Sequence, residues 1–222
     1  MKKTILALGV TALFFTACQD TPKADSTEAT DAQTVDSSDL IKGVTYNADL
    51  TQSSVKWTGT KPIGQHEGTF TLKSGSLLVA DNNVTGGKFV FDINSLTIID
   101  KDTAGTSKLK GHLLSPDFFD AAQFPEASFE ITNVTTGADT ADKELVMKDA
   151  THTITGNLTL KGITKSISFP AKVSVTDANV TADANFNIDR TQWQLVYGND
   201  KSLGDKFIRP TVNIVLHLVA NK

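Results

Sequence analysis

Hydrophobic and polar residues alternate with a period of two along most of this chain. In "SSVKWTG", Val55 and Trp57 alternate with Ser54, Lys56 and Thr58. "GTFTL" sets Phe70 and Leu72 against Thr69 and Thr71, and "GKFVFDI" puts Phe89, Phe91 and Ile93 on one face. The pattern returns in "ASFEITN" (Phe129, Ile131), "HTITGNLTLKG" (Ile154, Leu158, Leu160) and "SISFPAKVSV" (Ile167, Phe169, Val173, Val175). It closes in "VTADANFNI" (Val180, Phe186, Ile188) and "FIRPTVNIVLHLV" (Ile208, Val212, Ile214, Leu216, Leu218). Strict alternation over so many segments predicts half-buried antiparallel strands. The Thr and Ser between the apolar positions suit a solvated, pleated outer face. Turn residues separate the segments: "KSG" at 73–75, "DNN" at 81–83, "TGAD" at 136–139, "TDAN" at 176–179 and "YGND" at 197–200. The fold class is therefore all-β. A sandwich and a closed barrel both satisfy this pattern, and a solid core and a lined cavity would alternate alike.

One stretch predicts helix, from Thr103 to about Gln123, broken at Pro116. It runs into "HLLSPDFFDAAQFPEASFE", which holds Phe118, Phe119, Phe124 and Phe129 of a chain with only 12 phenylalanines. Leu113 and Leu114 belong to the first helical turn, and Pro116 starts a second short turn with Asp117 near its positive end. "FP" then returns the chain to strand. Such an aromatic insertion can line or plug one end of a barrel, or it can cover a sheet edge and complete an ordinary core.

The ends of the chain add an address. "MKKTILALGVTALFFTAC" has Lys2 and Lys3, an apolar run from Ile5 to Phe15, then small residues and Cys18, the single cysteine. The run is short for a membrane span and reads as an export signal over residues 1–17. "FTAC" resembles the lipobox of bacterial lipoproteins, which makes Cys18 the expected lipid anchor. Residues 18–42 follow as an acidic, flexible tether. From Gln19 to Lys42 there are six acids, two lysines and no aromatic, too little apolar area to offset ordering. Residues 43–222 form one domain.

The net charge is −4, and removing Lys2 and Lys3 leaves 19 basic against 25 acidic residues. With no basic run or basic patch, a nucleic-acid partner is not expected. Electrostatic docking on anionic lipid is not expected either.

Catalytic signatures are absent. There is no "GxSxG", "HExxH", "CxxC" or glycine-rich phosphate loop. His66 and Glu67 are adjacent and would face opposite sides of a strand, while His112, His152 and His217 stand far apart. No catalytic residue, metal site or cofactor is expected. Arg190 in "IDRTQW" is the candidate for a headgroup contact, with a surface salt bridge to Asp189 as the plainer alternative.

Four segments carry a family resemblance: "VKWTGTKPIGQHEGTF", "HLLSPDFFDAAQFPEASFEI", "ITGNLTLKGITKSISFPAKV" and "IDRTQWQLVYG". With the final strand "IRPTVNIVLHLVA" they occur in order across residues 46 to 220 and resemble the YceI-like proteins, the lipocalin-like polyisoprenoid-binding family. The resemblance implies an extended antiparallel lipocalin-like β-barrel with a short helical insertion. It implies a non-enzymatic carrier of a long apolar chain (a polyisoprenoid or an isoprenoid quinone) in the lumen. The lining candidates are Trp57, Phe70, Phe89, Phe91, Leu113, Phe118, Phe119, Phe129, Ile131, Leu158, Phe169, Phe186 and Trp193. The expected setting is the bacterial cell envelope, periplasm-facing or outer membrane, held by the lipid on Cys18. A surface lipoprotein with a solid core is the alternative, and an enzyme acting on an isoprenoid is a third reading.

Overall fold

Antiparallel pairing carries the alternating segments around a closed ring. The computed structural model describes residues 20–35, 43–137 and 145–222, so Cys18 and the signal lie outside the described residues. The wall consists of β3 (Val44–Ala48), β4 (Ser54–Thr60), β5 (Gln65–Ala80), β6 (Asn83–Ile98), β7 (Glu126–Thr136), β8 (His152–Leu160), β9 (Ile163–Val175), β10 (Asn179–Asp189) and β11 (Thr211–Asn221). β3 and β4 share one place in the ring, each pairing with part of β5 and part of β11. The result is a closed barrel of eight strand positions, sealed by β10 against β9 and β11. A helix, α1 (Thr106–Leu114), lies between β6 and β7.

The period of two sorts side chains as the sequence predicts. Ile154, Ile167, Phe169, Val180, Phe186 and Leu218 are buried in one core cluster. Long β5 keeps Phe70 and Leu72 inward at one end and Leu77 and Val79 inward at the other, because register shifts between Thr69/Thr71, Leu72/Ser74 and Leu78/Val79 re-phase the alternation. Gly156 sits beneath the Phe129 ring, and a Cβ there would approach the Phe129 Cζ to 2.4 Å. A glycine at this inward position lets the ring lie against the wall.

Two expectations need correction. Residues 20–35 are not a free tether: they lie along the barrel. β1 (Asp25–Ser26) pairs in parallel with Phe186 and Asn187 of β10, and β2 (Thr30–Asp31) pairs antiparallel with Ser166 and Lys165 of β9. The reason is polar. Asp25 is 5% exposed, and its carboxylate accepts hydrogen bonds from the backbone N–H of Val146 and Met147. Asn157 both accepts from the Gln33 N–H and donates to the Gln33 carbonyl, while Asn187 donates to the carbonyls of Pro22 and Ala24. A segment with almost no apolar side chains docks because outward asparagines of the wall satisfy its backbone. Helix content is the second correction. α1 ends at Leu114, and two short 3₁₀ segments, Arg190–Trp193 and Lys201–Lys206, stand where the sequence pattern predicts only turns and strands. Asp189 and Asp200 start them by accepting from the N–H of Thr191 and Ser202.

Asp25→Ala removes the acceptor of two part-buried N–H groups, at about 1–3 kcal/mol. The midpoint of thermal unfolding is expected to fall by several degrees, since 1 kcal/mol is about 2–4 °C in a domain of this size. Asp31→Ala, whose side chain is fully exposed in its pair with Lys165, is expected to leave the midpoint unchanged.

Candidate functional site

The barrel encloses a cavity of about 460 Å³. Its depth is walled by Leu77, Val84, Phe89, Ile131, Ile154 and Leu218, and its upper part by α1 and the segment after it. Inward side chains such as Phe91, Phe129 and Leu158 are only half-buried, because the space they face is not filled by other side chains. The interior is a lined lumen rather than a solid core. Phe169 and Phe186 stack across the β9–β10 junction with centroids 4.1 Å apart and planes 9° apart, sealing the wall from inside.

Of the thirteen lining candidates that the sequence offers, Trp57, Phe70, Phe89, Phe91, Leu113, Phe118, Phe119, Phe129, Ile131, Leu158, Phe169 and Phe186 do line this space. Trp193 does not. It is 0% exposed, packed in the wall, with its indole N–H donating to the Leu158 carbonyl at 3.0 Å. The aromatic-rich insertion divides its work. Phe118 and Phe119 close the lumen under α1, Phe119 meeting Phe70 edge-on at 5.4 Å. Phe124 leaves the lumen and packs on the Gly162 turn.

Polar side chains gather at one end of the cavity. Lys61, His66, His112, Arg190, Tyr197 and Lys206 are on the lining, and among the described residues no carboxylate, Ser or Thr hydroxyl, or side-chain amide is. They come from the β4–β5 turn, the start of β5, α1 and the 190–206 segment. In an antiparallel barrel these lie at the same end: Thr60 is opposite Gln65, Ile98 opposite Gly68, and Asp189 opposite Thr211. This end is the mouth. His112 stacks edge-on with Tyr197 at 4.6 Å and with Phe118 at 5.2 Å.

The sequence offers Arg190 as a headgroup contact or a surface salt bridge; the side chain is on the cavity lining, and its guanidinium is bonded to backbone carbonyls rather than to a surface acid. It is 4% exposed. Its Nε donates to the Arg209 carbonyl, one terminal nitrogen to Leu195, and the other to Tyr197 and Ile208 at 3.0 and 2.9 Å. The guanidinium thus ties the 195–209 excursion to the end of β10, with the Phe118 ring beneath it at 5.8 Å. Burial pushes its pKa down from the ordinary value, and Asp189 pulls it back up. Asp189 itself is used as a cap, accepting from the N–H and hydroxyl of Thr191.

The histidines are separate. His66, His112 and His217 each meet one aspartate (Asp100, Asp117 and Asp183). His66 lines the cavity while Glu67 pairs with Lys56, as opposite faces of a strand require. Among the described residues no group of three or more His, Cys, Asp or Glu is placed to hold a metal ion. No described helix is long and apolar enough to cross a membrane.

A closed antiparallel barrel with an apolar lumen and a helix at one end defines a lipocalin-like class. Within that class the chain belongs to the YceI-like domain family, whose model matches residues 46–220. It is 34% identical over 106 residues to Protein YceI of Escherichia coli, and 35% identical over 106 residues to a UPF0312 protein of Pseudomonas aeruginosa. Each match covers 48% of this chain and 48% of the relative, so the chain matches about half the length of these curated proteins. Among solved structures it is similar in fold to Burkholderia cenocepacia BcnA, with a TM-score of 0.61 and 22% identity over 78% of this chain and 99% of that one. It is also similar to a polyisoprenoid binding domain from Saccharophagus degradans, with a TM-score of 0.55 and 16% identity over 79% and 97%.

If Arg190 is a clamp, Arg190→Lys cannot replace it, since one ammonium cannot reach carbonyls arranged for a planar fork. Arg190→Lys is expected to lower stability by a few kcal/mol, since each buried carbonyl left without its donor costs about 1–3 kcal/mol. It is also expected to raise hydrogen exchange over residues 194–209. Unchanged stability with weakened ligand binding would instead make Arg190 a headgroup contact.

Proposed function

We propose that this protein is a non-enzymatic carrier that holds a long apolar chain of polyisoprenoid type in its lumen, with a polar or anionic head at the mouth. The observation that carries the reading is one cavity, apolar along its depth, with its polar lining confined to one end and free of carboxylates among the described residues. The Saccharophagus degradans protein of similar fold is described as a polyisoprenoid binding domain, which agrees with this ligand class. Lys61, His66, His112 and Lys206 supply donors suited to phosphate, carboxylate or carbonyl oxygen. No described lumen residue forms the nucleophile–base–orienter arrangement that catalysis on such a ligand would need. A solid-core structural role does not account for the cavity.

Size sets the ligand further. An apolar cavity of about 150 Å³ holds one benzene. A lumen of 460 Å³ therefore takes about eighteen carbons, three to four isoprene units. Moving that chain from water would gain about 14 kcal/mol at ~0.8 kcal/mol per methylene. Its real alternative is a bilayer, which is equally apolar, so transfer from membrane to barrel is near neutral. The protein then shuttles or sequesters chains at a membrane surface rather than trapping them. Export, with lipid attached at Cys18 in the cell envelope, keeps the barrel beside that membrane.

The test is thermal unfolding of delipidated protein with and without farnesol, geranylgeraniol or ubiquinone. Added chain is expected to raise the wild-type midpoint by mass action. Phe129→Ala enlarges a space that already exists. Its own cost is expected to fall below the about 3–5 kcal/mol of a closed-core truncation, while the ligand-dependent shift shrinks. No shift in wild type, with no lipid extracted from gently purified protein, would remove the carrier reading.

Chain length gives a second check. Affinity measured by Trp57 fluorescence in a Trp193→Phe background is expected to rise from ten- to about twenty-carbon prenols, at up to ~0.8 kcal/mol per added methylene. It should then level off. A rise continuing unchanged to forty carbons would show that the lumen expands well beyond the volume described.

A further inference from the structure

Among the described residues nine large apolar side chains are exposed, and five of them, Ile63, Ile99, Val196, Tyr197 and Leu203, belong to the loops of the mouth end. Ile63 tips the turn that the Lys61 N–H closes onto the Gly64 carbonyl. Ile99 leaves β6 at the same level, its N–H bonded to the Glu67 carbonyl. Val196, Tyr197 and Leu203 belong to the excursion that Arg190 ties down, and Tyr197 also lines the lumen. This apolar rim lies at the end where exposed residues, Tyr197 and Lys206, are among the lining of the apolar cavity.

The charge around it is mixed. Lys61, Lys101, Lys201 and Lys206 alternate with Asp100, Asp102, Asp200 and Asp205. Several of these acids are occupied locally: Asp100 by His66 and the Glu67 N–H, Asp102 by the Ala104 N–H, Asp200 by the Ser202 N–H. The four lysines and four aspartates of these loops cancel, and the exposed apolar side chains here are those that enter an interfacial layer.

The path of the N-terminal segment gives the occupant. Asp20 meets Arg209 at 3.2 Å and Thr21 meets Thr60 at 3.1 Å, both at the mouth end. Cys18 is two residues upstream of Asp20, within about 7 Å along an extended chain. The apolar run ending at Phe15 is only three residues further. Whatever holds the N-terminus to a bilayer therefore holds this rim close to it.

We infer that the rim carrying Ile63, Ile99, Val196, Tyr197 and Leu203 docks on a lipid bilayer with the lumen mouth facing the lipid, and that the segment from Asp20 onward fixes that orientation. This rests on the carrier reading for its purpose: a chain would pass between bilayer and lumen without crossing water. Docking is through apolar contact, so neutral phosphatidylcholine suffices, and neither anionic lipid nor moderate salt changes it much.

The experiment uses the full chain with Cys18→Ser and one introduced cysteine: Ile63→Cys or Leu203→Cys on the rim, Val215→Cys on the barrel wall, Val44→Cys at the opposite end. Each carries an environment-sensitive fluorophore and is reconstituted on phosphatidylcholine vesicles containing a lipid-borne nitroxide quencher. The uncleaved apolar run retains every variant on the vesicle, so quenching reports orientation alone. Rim labels are expected to be quenched several-fold more than those at positions 215 and 44. Equal quenching at all four positions, or rim quenching that requires anionic lipid and disappears in salt, overturns the inference. Binding of geranylgeraniol, read from Trp57 fluorescence in unlabelled chains with Trp193→Phe and no quencher, separates the two ideas. Rim quenching without chain binding leaves docking and removes the carrier, and chain binding without rim quenching does the reverse.

Discussion

Every strand in a closed barrel needs a hydrogen-bonded neighbour on both sides, and one junction here supplies it over only part of its length. β9 and β10 pair from Ala171–Ala184 to Val175–Val180 and then part. Pro170, which has no N–H to give, stands immediately before the last pair, where a proline is tolerated as an edge residue. Beyond it both strands would present unpaired backbone toward the mouth, an open edge of the kind that proteins cover. Residues 25–31 cover it, β1 on the β10 side and β2 on the β9 side. Inside, the stacked rings of Phe169 and Phe186 close the same junction. Wall, lumen and N-terminal path all follow from this partial pairing.

The two seals use different physics. The inner one is apolar and belongs to the lumen. The outer one is almost wholly polar: Asp25 on two backbone N–H groups, Asn157 on Gln33, Asn187 on Pro22 and Ala24, Lys165 on Asp31. Surface ion pairs such as Lys165–Asp31 contribute little. The hydrogen bonds made by the buried side chains of Asp25 and Asn187 contribute more, because breaking them leaves a buried carboxylate or amide without partners. Asn213, 3% exposed, extends the set by donating to the side-chain oxygens of Asn185 and Asn187.

The strands and their inward faces are legible in the sequence, because burial on one side of a pleat writes itself as a period of two; nine of the lining candidates stand on that pattern, while Leu113, Phe118 and Phe119 come from the aromatic insertion. Trp193 escapes the pattern because a 3₁₀ turn after β10 breaks that period and turns the indole into the wall. Residues 20–35 look like a tether because composition reports apolar content, and this segment binds through backbone and buried polar groups. The outward Asn157, set among Thr153, Thr155 and Thr159 of β8, is the signal that something covers that face. Arg190 stands out locally as a cation near an aromatic. Its carbonyl partners lie up to nineteen residues away in sequence, and no local pattern announces them.

The partial seam also bears on the space inside. A barrel of eight strands is ordinarily just wide enough for its own side chains or one small ligand. Here β9 and β10 pair directly only at the end away from the mouth, from Ala171–Ala184 to Val175–Val180. Toward the mouth each pairs instead with the N-terminal segment, β10 with Asp25 and Ser26 and β9 with Thr30 and Asp31. That is the half where α1, Phe118 and Phe119 sit and where the polar lining collects. Were β9 to pair with β10 throughout, the N-terminal segment would lose both of its strand partners, so the seam that borders the lumen and the docking of residues 25–31 are one feature.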